Sequence, residues 1–301
     1  MRLYITLLFG AVALFCSLPS ANAVTIYGTA YIGGGPATLY TIDPNTGAAT
    51  PVGTGIGYDR VGAIDFDPTT GILYGIGSNQ PNIFSLITIN TTTGLGTTVG
   101  DGVPNFQDIN FRSDGTLFGL GGANIWKLNL TNGTPTLVGF TGFQGNGNGL
   151  AFDPSDTLYR ISNADIFTIS QIDGNATDTG TNVQYPVNFL NPRTNAMDYD
   201  LANNILYASV VHGPGLNSGP DANFIAEINL TTGAVSNPQL TVLGLDGLAV
   251  LPEQQPTPPN GNGVPEPMST LWLVPILIGL FAFRRFEVQK GSNLLIDSCT
   301  S

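Results

Sequence analysis

One short segment recurs four times along this chain at nearly constant spacing, and few folds are open to a sequence built that way. The copies read GAIDFDPTTGILYGIG (Gly62 to Gly77), DINFRSDGTLFGLG (Asp108 to Gly121), GLAFDPSDTLYRIS (Gly149 to Ser162) and AMDYDLANNILYAS (Ala196 to Ser209). Aligning Ile64, Ile109, Leu150 and Met197 sets successive copies 45, 41 and 47 residues apart. A second segment follows each copy: LITINTTTGLGTTVG (Leu86 to Gly100), IWKLNLTNGTPTLVG (Ile125 to Gly139), the degenerate IFTISQIDGNATDTG (Ile166 to Gly180) and IAEINLTTGAVSNPQL (Ile225 to Leu240). Repetition at this period marks an array whose units bury their apolar faces against their neighbours.

Each repeat reads as four strands. Apolar residues alternate at period two and are β-branched or aromatic, with turn chemistry between them. In the first hairpin Ile64 and Phe66 share a face, Asp67-Pro68-Thr69-Thr70-Gly71 turns the chain, and Leu73 to Ile76 return. In the second, the turn is Asp43-Pro44-Asn45-Thr46-Gly47 and its relatives. Asp accepts backbone N–H bonds inside such a turn, Pro presets φ, and Gly supplies a positive φ at the exit. A four-stranded unit of this length is a propeller blade. The chain from Val24 supplies Ile26-Tyr27-Gly28, the counterpart of Leu73-Tyr74-Gly75, but no first strand before it. The missing strand stands at the other end, as Gly247-Leu248-Ala249-Val250-Leu251. The expectation is an all-β, five-bladed β-propeller over residues 24–252, closed by a C-terminal strand that completes the N-terminal blade and so removes free sheet edges. An open β-solenoid is the rival, but a leftover half-blade at each end suits a ring better.

The chain from Ile26 to Leu251 resembles a family of bacterial propeller-like domains of unknown function, whose blades carry segments like LYTIDPNTGAATPVG. That resemblance implies the fold and brings no activity with it. Composition agrees: 39 Gly and 21 Pro, spread along the chain, suit many short strands joined by turns. A formal net charge of −12 repels phosphate backbones, which argues against nucleic acid as a partner.

The two ends carry a different message. Arg2, the apolar run Leu3 to Leu18 and the small-residue site Ala21-Asn22-Ala23 read as a secretory signal peptide over residues 1–23, cut before Val24. Residues 253–263 are a Pro/Gly linker. Beyond it stand Val264, Pro265, Glu266 and Pro267, then the apolar stretch Leu271 to Phe283, then the basic pair Arg284 and Arg285. A helix over that stretch would span only about 20 Å against a hydrocarbon core of about 30 Å, too short for a permanent anchor. With a positive stop behind it, it suits transient retention in the inner membrane. Motif, helix and basic pair in this order over residues 264–285 resemble the PEP-CTERM sorting signal of Gram-negative bacteria. The resemblance implies an exosortase-type processing enzyme as partner, cleavage near Pro265 to Pro267, and delivery to the cell surface or exopolysaccharide matrix. Such tails usually end soon after the basic cluster, whereas residues 286–301 continue here as an extension. Both cysteines, Cys16 and Cys299, fall in these terminal segments, leaving the propeller region without a thiol or disulfide.

Catalytic chemistry is sparse. His212 is the sole histidine, no triad or H-E-x-x-H is present, and zinc lacks ligands, so no catalytic residue and no metal ligand is assigned. Asp65 with Asp67, Asp198 with Asp200, and the turn residues Asp43 and Asp153 offer oxygen ligands for Ca²⁺. Capping of their own turns explains Asp43, Asp67 and Asp153 better, and Asp65 and Asp198 align with Asn110 and Ala151, so no repeating ligand set exists. The first strands should line the axis with mostly small, apolar residues such as Ala63, Gly149, Ala196 and Gly247, with Asp108 the exception. The Asn-x-Thr triplets at Asn129 and Asn229 recur at one blade position and read as turn chemistry. The short Asp-Pro turns should lie on one face and the variable loops on the other. The longest of these, Val210 to Asn223, holds His212 and Asp221 and is the candidate binding loop. The sequence thus favours a non-enzymatic binding or structural propeller, with polysaccharide or a surface protein as ligand and no cofactor. The alternative is a secreted Ca²⁺-dependent hydrolase or lyase with its ion in the central channel. Deleting Gly247 to Leu251 is expected to abolish cooperative thermal unfolding, read by circular dichroism; a deletion variant that melts like wild type would refute ring closure.

Overall fold

The computed structural model describes residues 24–31, 35–144, 149–213 and 222–252. The expected sorting residues Val264 to Pro267, Arg284 and Arg285, and Asp221 of the candidate loop, lie outside that set. Contacts divide the chain into Met1–Glu253 and Gln254–Ser301, and every described residue belongs to the first unit.

The described residues form twenty strands and no helix. In chain order, β1 (Ile26–Ala30), β2 (Thr38–Ile42) and β3 (Ala49–Val52) come first. Blade two is β4 (Arg60–Phe66), β5 (Leu73–Gln80), β6 (Ile83–Ile89) and β7 (Gly96–Val103). Blade three is β8 (Asp108–Phe111), β9 (Leu117–Gly121), β10 (Asn124–Leu128) and β11 (Pro135–Phe140). Blade four is β12 (Leu150–Phe152), β13 (Leu158–Ser162), β14 (Asp165–Ile169) and β15 (Ala176–Asn182). Blade five is β16 (Arg193–Asp200), β17 (Ile205–His212), β18 (Ala222–Ile228) and β19 (Val235–Leu240). The last strand, β20 (Leu245–Val250), pairs antiparallel with β1 and completes blade one in the order β20-β1-β2-β3. Its register sets Ile26 against Val250, Tyr27 against Ala249 and Gly28 against Leu248. The molecule is a five-bladed β-propeller closed by its C-terminal strand.

Alternation of apolar residues explains why the blades stack. Inner strands β4, β8, β12 and β20 are buried almost throughout, whereas outer strands β3, β7, β11, β15 and β19 are almost entirely half-buried or exposed. Apolar clusters fill the spaces between blades: Tyr27 and Ala249 of blade one join Ile64, Phe66 and Ile87 of blade two, and Tyr74 and Ile76 join Ile109 and Phe111. Edge-on aromatic pairs bridge the same seams, Tyr27 with Phe66 at 5.4 Å between centroids and Phe118 with Phe152 at 5.3 Å.

Closure does not remove every sheet edge, because each blade keeps its outer strand unpaired on one side. Those strands carry exposed Thr97, Asp101 and Asp178 and the prolines Pro51, Pro135 and Pro238. Charges and missing N–H donors on an edge oppose strand addition from another chain.

The outer hairpins add a second ring of contacts. The turn glycine of each blade meets the outer-strand end of the blade before it: Gly94 meets Val52, Gly133 meets Gly100, Gly174 meets Gly139, Gly233 meets Asn182, and Gly47 of blade one meets Leu240 of blade five. Backbone lies against backbone, so no side chain fits between. Gly174 has φ +75°, which only glycine adopts without strain, whereas Gly139 is held to glycine by space alone: a Cβ there would stand 1.7 Å from the Asp173 carbonyl oxygen. Gly139→Ala is therefore expected to cost about 2–3 kcal/mol, the upper range for point changes, and to lower the melting temperature by roughly 5–10 °C in a domain of this size; calorimetry checks it.

Candidate functional site

Two places gather chemistry-bearing groups: the propeller axis and the loop base at blade five.

At the axis, residues two apart on an inner strand point the same way, so acids share the face of the small residues the sequence placed there: Asp65 that of Ala63 and Asp198 that of Ala196. Asp65 on β4, Asp108 and Asn110 on β8 and Asp198 on β16 are all buried there. The sequence signal was present at Asp65, Asn110 and Asp198, but their mutual approach across the ring was not legible from spacing. Each takes backbone amides from a neighbouring inner strand. Asp65 Oδ2 accepts from Phe111 N–H (2.5 Å), Asp108 Oδ2 from Leu150 (2.8 Å) and Met197 (3.3 Å), Asn110 Oδ1 from Phe152 (2.8 Å) and Asp198 Oδ2 from Val250 (2.6 Å). Asn110 Nδ2 donates across the axis to Asp198 Oδ1 at 3.0 Å.

Three carboxyl groups in so small a dry space cannot all ionise. Burial, reinforced by the Asp198 charge, pushes Asp65 well above the usual carboxylate range; burial likewise raises Asp108. Asp198 is pushed up to about 6 by burial, against the pull of the Val250 amide and the Asn110 amide group. Asp65 and Asp198 lie close enough to influence each other: the Asp198 charge adds to the rise of Asp65, and Asp65 opposes the rise of Asp198. No described group of acidic, histidine or cysteine side chains has the arrangement of a metal site. The axis can store protons and tie strands together; its oxygens are already committed to amides.

The turn aspartates cap their own turns. Asp43 accepts from Asn45 N–H at 2.9 Å, Asp67 from Thr69 N–H at 2.8 Å, and Asp153 from Ser155 and Thr157 N–H at 2.9 and 2.8 Å. Asn129 and Asn229 do the same for Thr131 and Thr231.

At blade five, β17 ends on His212, whose Nδ1 accepts the Leu190 N–H at 2.7 Å. Its ring lies 5.1 Å from that of Phe189 and 6.3 Å from that of Phe224. His212 thus pins the connection between β15 and β16 to the base of the long loop, while Val187 and Leu190 of that connection stand exposed. The loop base is fixed again by Asn223, whose amide donates to Leu245 O and whose Oδ1 accepts from Gly244 N–H. The variable face is narrower than the sequence suggested. Second-to-third-strand connections in blades two, three and four are two-residue turns, Pro81-Asn82, Gly122-Ala123 and Asn163-Ala164, leaving the longer ones to the neighbouring blades one and five.

No family model matches the chain, and no curated protein matches it. Solved structures do. The chain is similar to a chain of a nidogen–laminin complex (13% identity, TM-score 0.51), covering 77% of this chain and all of that one. It is also similar to TolB from Acinetobacter baumannii (11% identity, TM-score 0.46; 76% of this chain, 67% of that one). At such identities the likeness concerns the fold alone.

The axial acids set a pH dependence. A carboxyl whose folded pKa is raised binds its proton more tightly in the folded state, so its contribution is present near pH 4 and lost as pH rises through the folded value. Stability is expected to fall from about pH 4 through the Asp198 value of about 6 and beyond. Asp65→Asn, which copies the Asn110 arrangement of the next blade, should flatten that decline; urea melts of the two proteins from pH 4 to 8 test it, and equal slopes would show that the pair does not titrate on unfolding.

Proposed function

We propose that this chain is an exported, non-enzymatic β-propeller that serves as a binding or structural component of the cell surface or exopolysaccharide matrix of a Gram-negative bacterium. The observation that carries this reading is the order of signals along the sequence. A signal peptide precedes the propeller, and a motif, a short apolar stretch and a basic pair follow it. The tail's resemblance to a PEP-CTERM signal supplies the processing partner, an exosortase-type enzyme, and a transient contact with the inner membrane.

The chemistry of the propeller supports the non-enzymatic part. His212 spends Nδ1 on a backbone amide, and the axial carboxyl groups spend their oxygens on amides. The ligand is read as a polysaccharide or surface protein meeting the loop face around blade five, where Val187 and Leu190 offer exposed apolar surface beside the His212 loop.

Mass spectrometry of the protein from cells tests the targeting. The expected species begins at Val24 and ends before Leu271, with no tightly held ion. A species retaining Leu271 to Phe283 would overturn the sorting reading, and one stoichiometric Ca²⁺ would favour the hydrolase or lyase. For the binding face, replacing Val210 to Asn223 with a short Gly-Ser connection is expected to reduce retention in the matrix fraction; unchanged retention removes the loop from the proposal.

A further inference from the structure

The residue that follows the cap of each outer hairpin turn differs from blade to blade: Pro44, Thr91, Leu130, Gln171 and Leu230 in blades one to five. Four of these side chains are taken up by the protein itself. Pro44 is buried, Leu130 packs on the cluster that holds Leu117 and Leu128, and Leu230 packs on the one that holds Leu206 and Ile228. Gln171 bridges two turns, donating through Nε2 to Asp156 O at 2.6 Å and accepting from Arg112 Nη1 at 2.9 Å. Thr91 of blade two is the short one, and there a cavity of about 360 Å³ opens between the turn that follows β4 and the turn that follows β6. Leu73 and Ile89, the counterparts of Leu117 and Leu128, are buried in its wall.

The lining restricts the ligand. None of the residues that form the cavity is charged, so an ion entering it would shed water without gaining a counter-charge. What the walls offer instead is hydroxyl groups. Thr88 and Thr97 stand opposite each other in the β6–β7 ladder, and Thr91 and Thr92 lie on the turn. A hydroxyl both donates and accepts, so a group of them pairs best with ligand hydroxyls that do the same. Asn90 adds a donor: its Oδ1 accepts the Thr92 and Thr93 N–H groups at 2.9 Å, which leaves its amide nitrogen for a ligand. Ile72 and Leu95, 43% and 55% exposed, supply apolar surface at the same cavity. Neutral hydroxyls beside a small apolar patch are complementary to a sugar ring, which carries hydroxyls at its rim and C–H groups on its faces. The volume lies near the lower end for small-molecule clefts.

We propose that this cavity of blade two binds one neutral hexopyranose ring. It lies on the hairpin-turn face, at the opposite end of the strands from His212. It is independent of the sorting and loop readings, which stand if it fails.

Saturation-transfer NMR on the full-length protein with methyl glucoside, methyl galactoside and methyl mannoside, each titrated alone, tests it, with sodium glucuronate as the charged comparison. At least one of the three glycosides is expected to give a saturable signal with a dissociation constant on the order of 1 mM, in keeping with a few hydrogen bonds at an open site. Thr91→Leu, which installs the residue of blades three and five and fills the cavity, should keep the wild-type melting temperature and weaken that binding at least about tenfold. Thr88→Val, which removes one hydroxyl from the wall, should weaken it by less and supplies the comparison should the leucine variant fail to fold. Absence of a saturable signal from all three glycosides, or unchanged affinity in the two variants, would overturn the proposal; glucuronate binding as tightly as the best glycoside would overturn the neutral assignment.

Discussion

The propeller depends on how its innermost strands satisfy one another. Each inner strand is hydrogen-bonded along one side only, to its own blade, so its other side presents backbone donors to a dry axis. Asp65, Asp108, Asn110 and Asp198 meet those donors by handing oxygens from one blade to the next. Where blade four has Ala151 and offers no oxygen, Asp108 reaches past it to the Met197 amide of blade five. An apolar axis would leave these amides unpaired at a cost of about 1–3 kcal/mol each. The acids cost something in turn, since burial favours their protonated over their ionised form.

Farther out, a different constraint holds the same ring. Side chains fill the blade seams, but at the outer turns the backbones themselves touch, and Gly47 against Leu240 repeats between blades one and five the contact that glycines make elsewhere. The closing pair β1 and β20 is therefore supported at three radii: by the Asp198 to Val250 bond at the axis, by its own ladder, and by the outer turn. Loss of any one leaves the other two to resist opening, which is how a chain brings its two ends together against the entropy of a long loop.

The two polar anomalies of the molecule have opposite character. The axial acids are buried groups held toward the protonated form, and their oxygens are engaged by amides, so they serve architecture. Arg160 of blade four is a buried positive group whose hydrogen bond among the described residues goes to Thr141 Oγ1, with its guanidinium over the Phe143 ring. His212, the sole histidine, is absorbed in fastening Leu190 and packing on Phe189, although it sits at the base of the loop where a binding face is proposed.

The repeat, the period-two alternation and the turn residues were enough by themselves to determine five blades, their hairpins and the swap of the last strand, because blade formation is local and its signals lie within a few dozen residues. Asp43, Asp67 and Asp153 were legible as turn caps for the same reason. What only the tertiary structure decided involves residues from different blades. Asp65 and Asp198 approach although far apart in sequence, Gly139 is pinned by the Asp173 carbonyl, and His212 is held by the Leu190 N–H and the Phe189 ring of the connection between two blades. Arg160 stood in plain view in the repeat alignment, where Gly28, Gly75, Gly119 and Ala208 are small, yet its burial over the Phe143 ring is a property of three-dimensional packing. A sequence states which groups a strand carries; only closure of the ring determines which of them are left in the dry interior together.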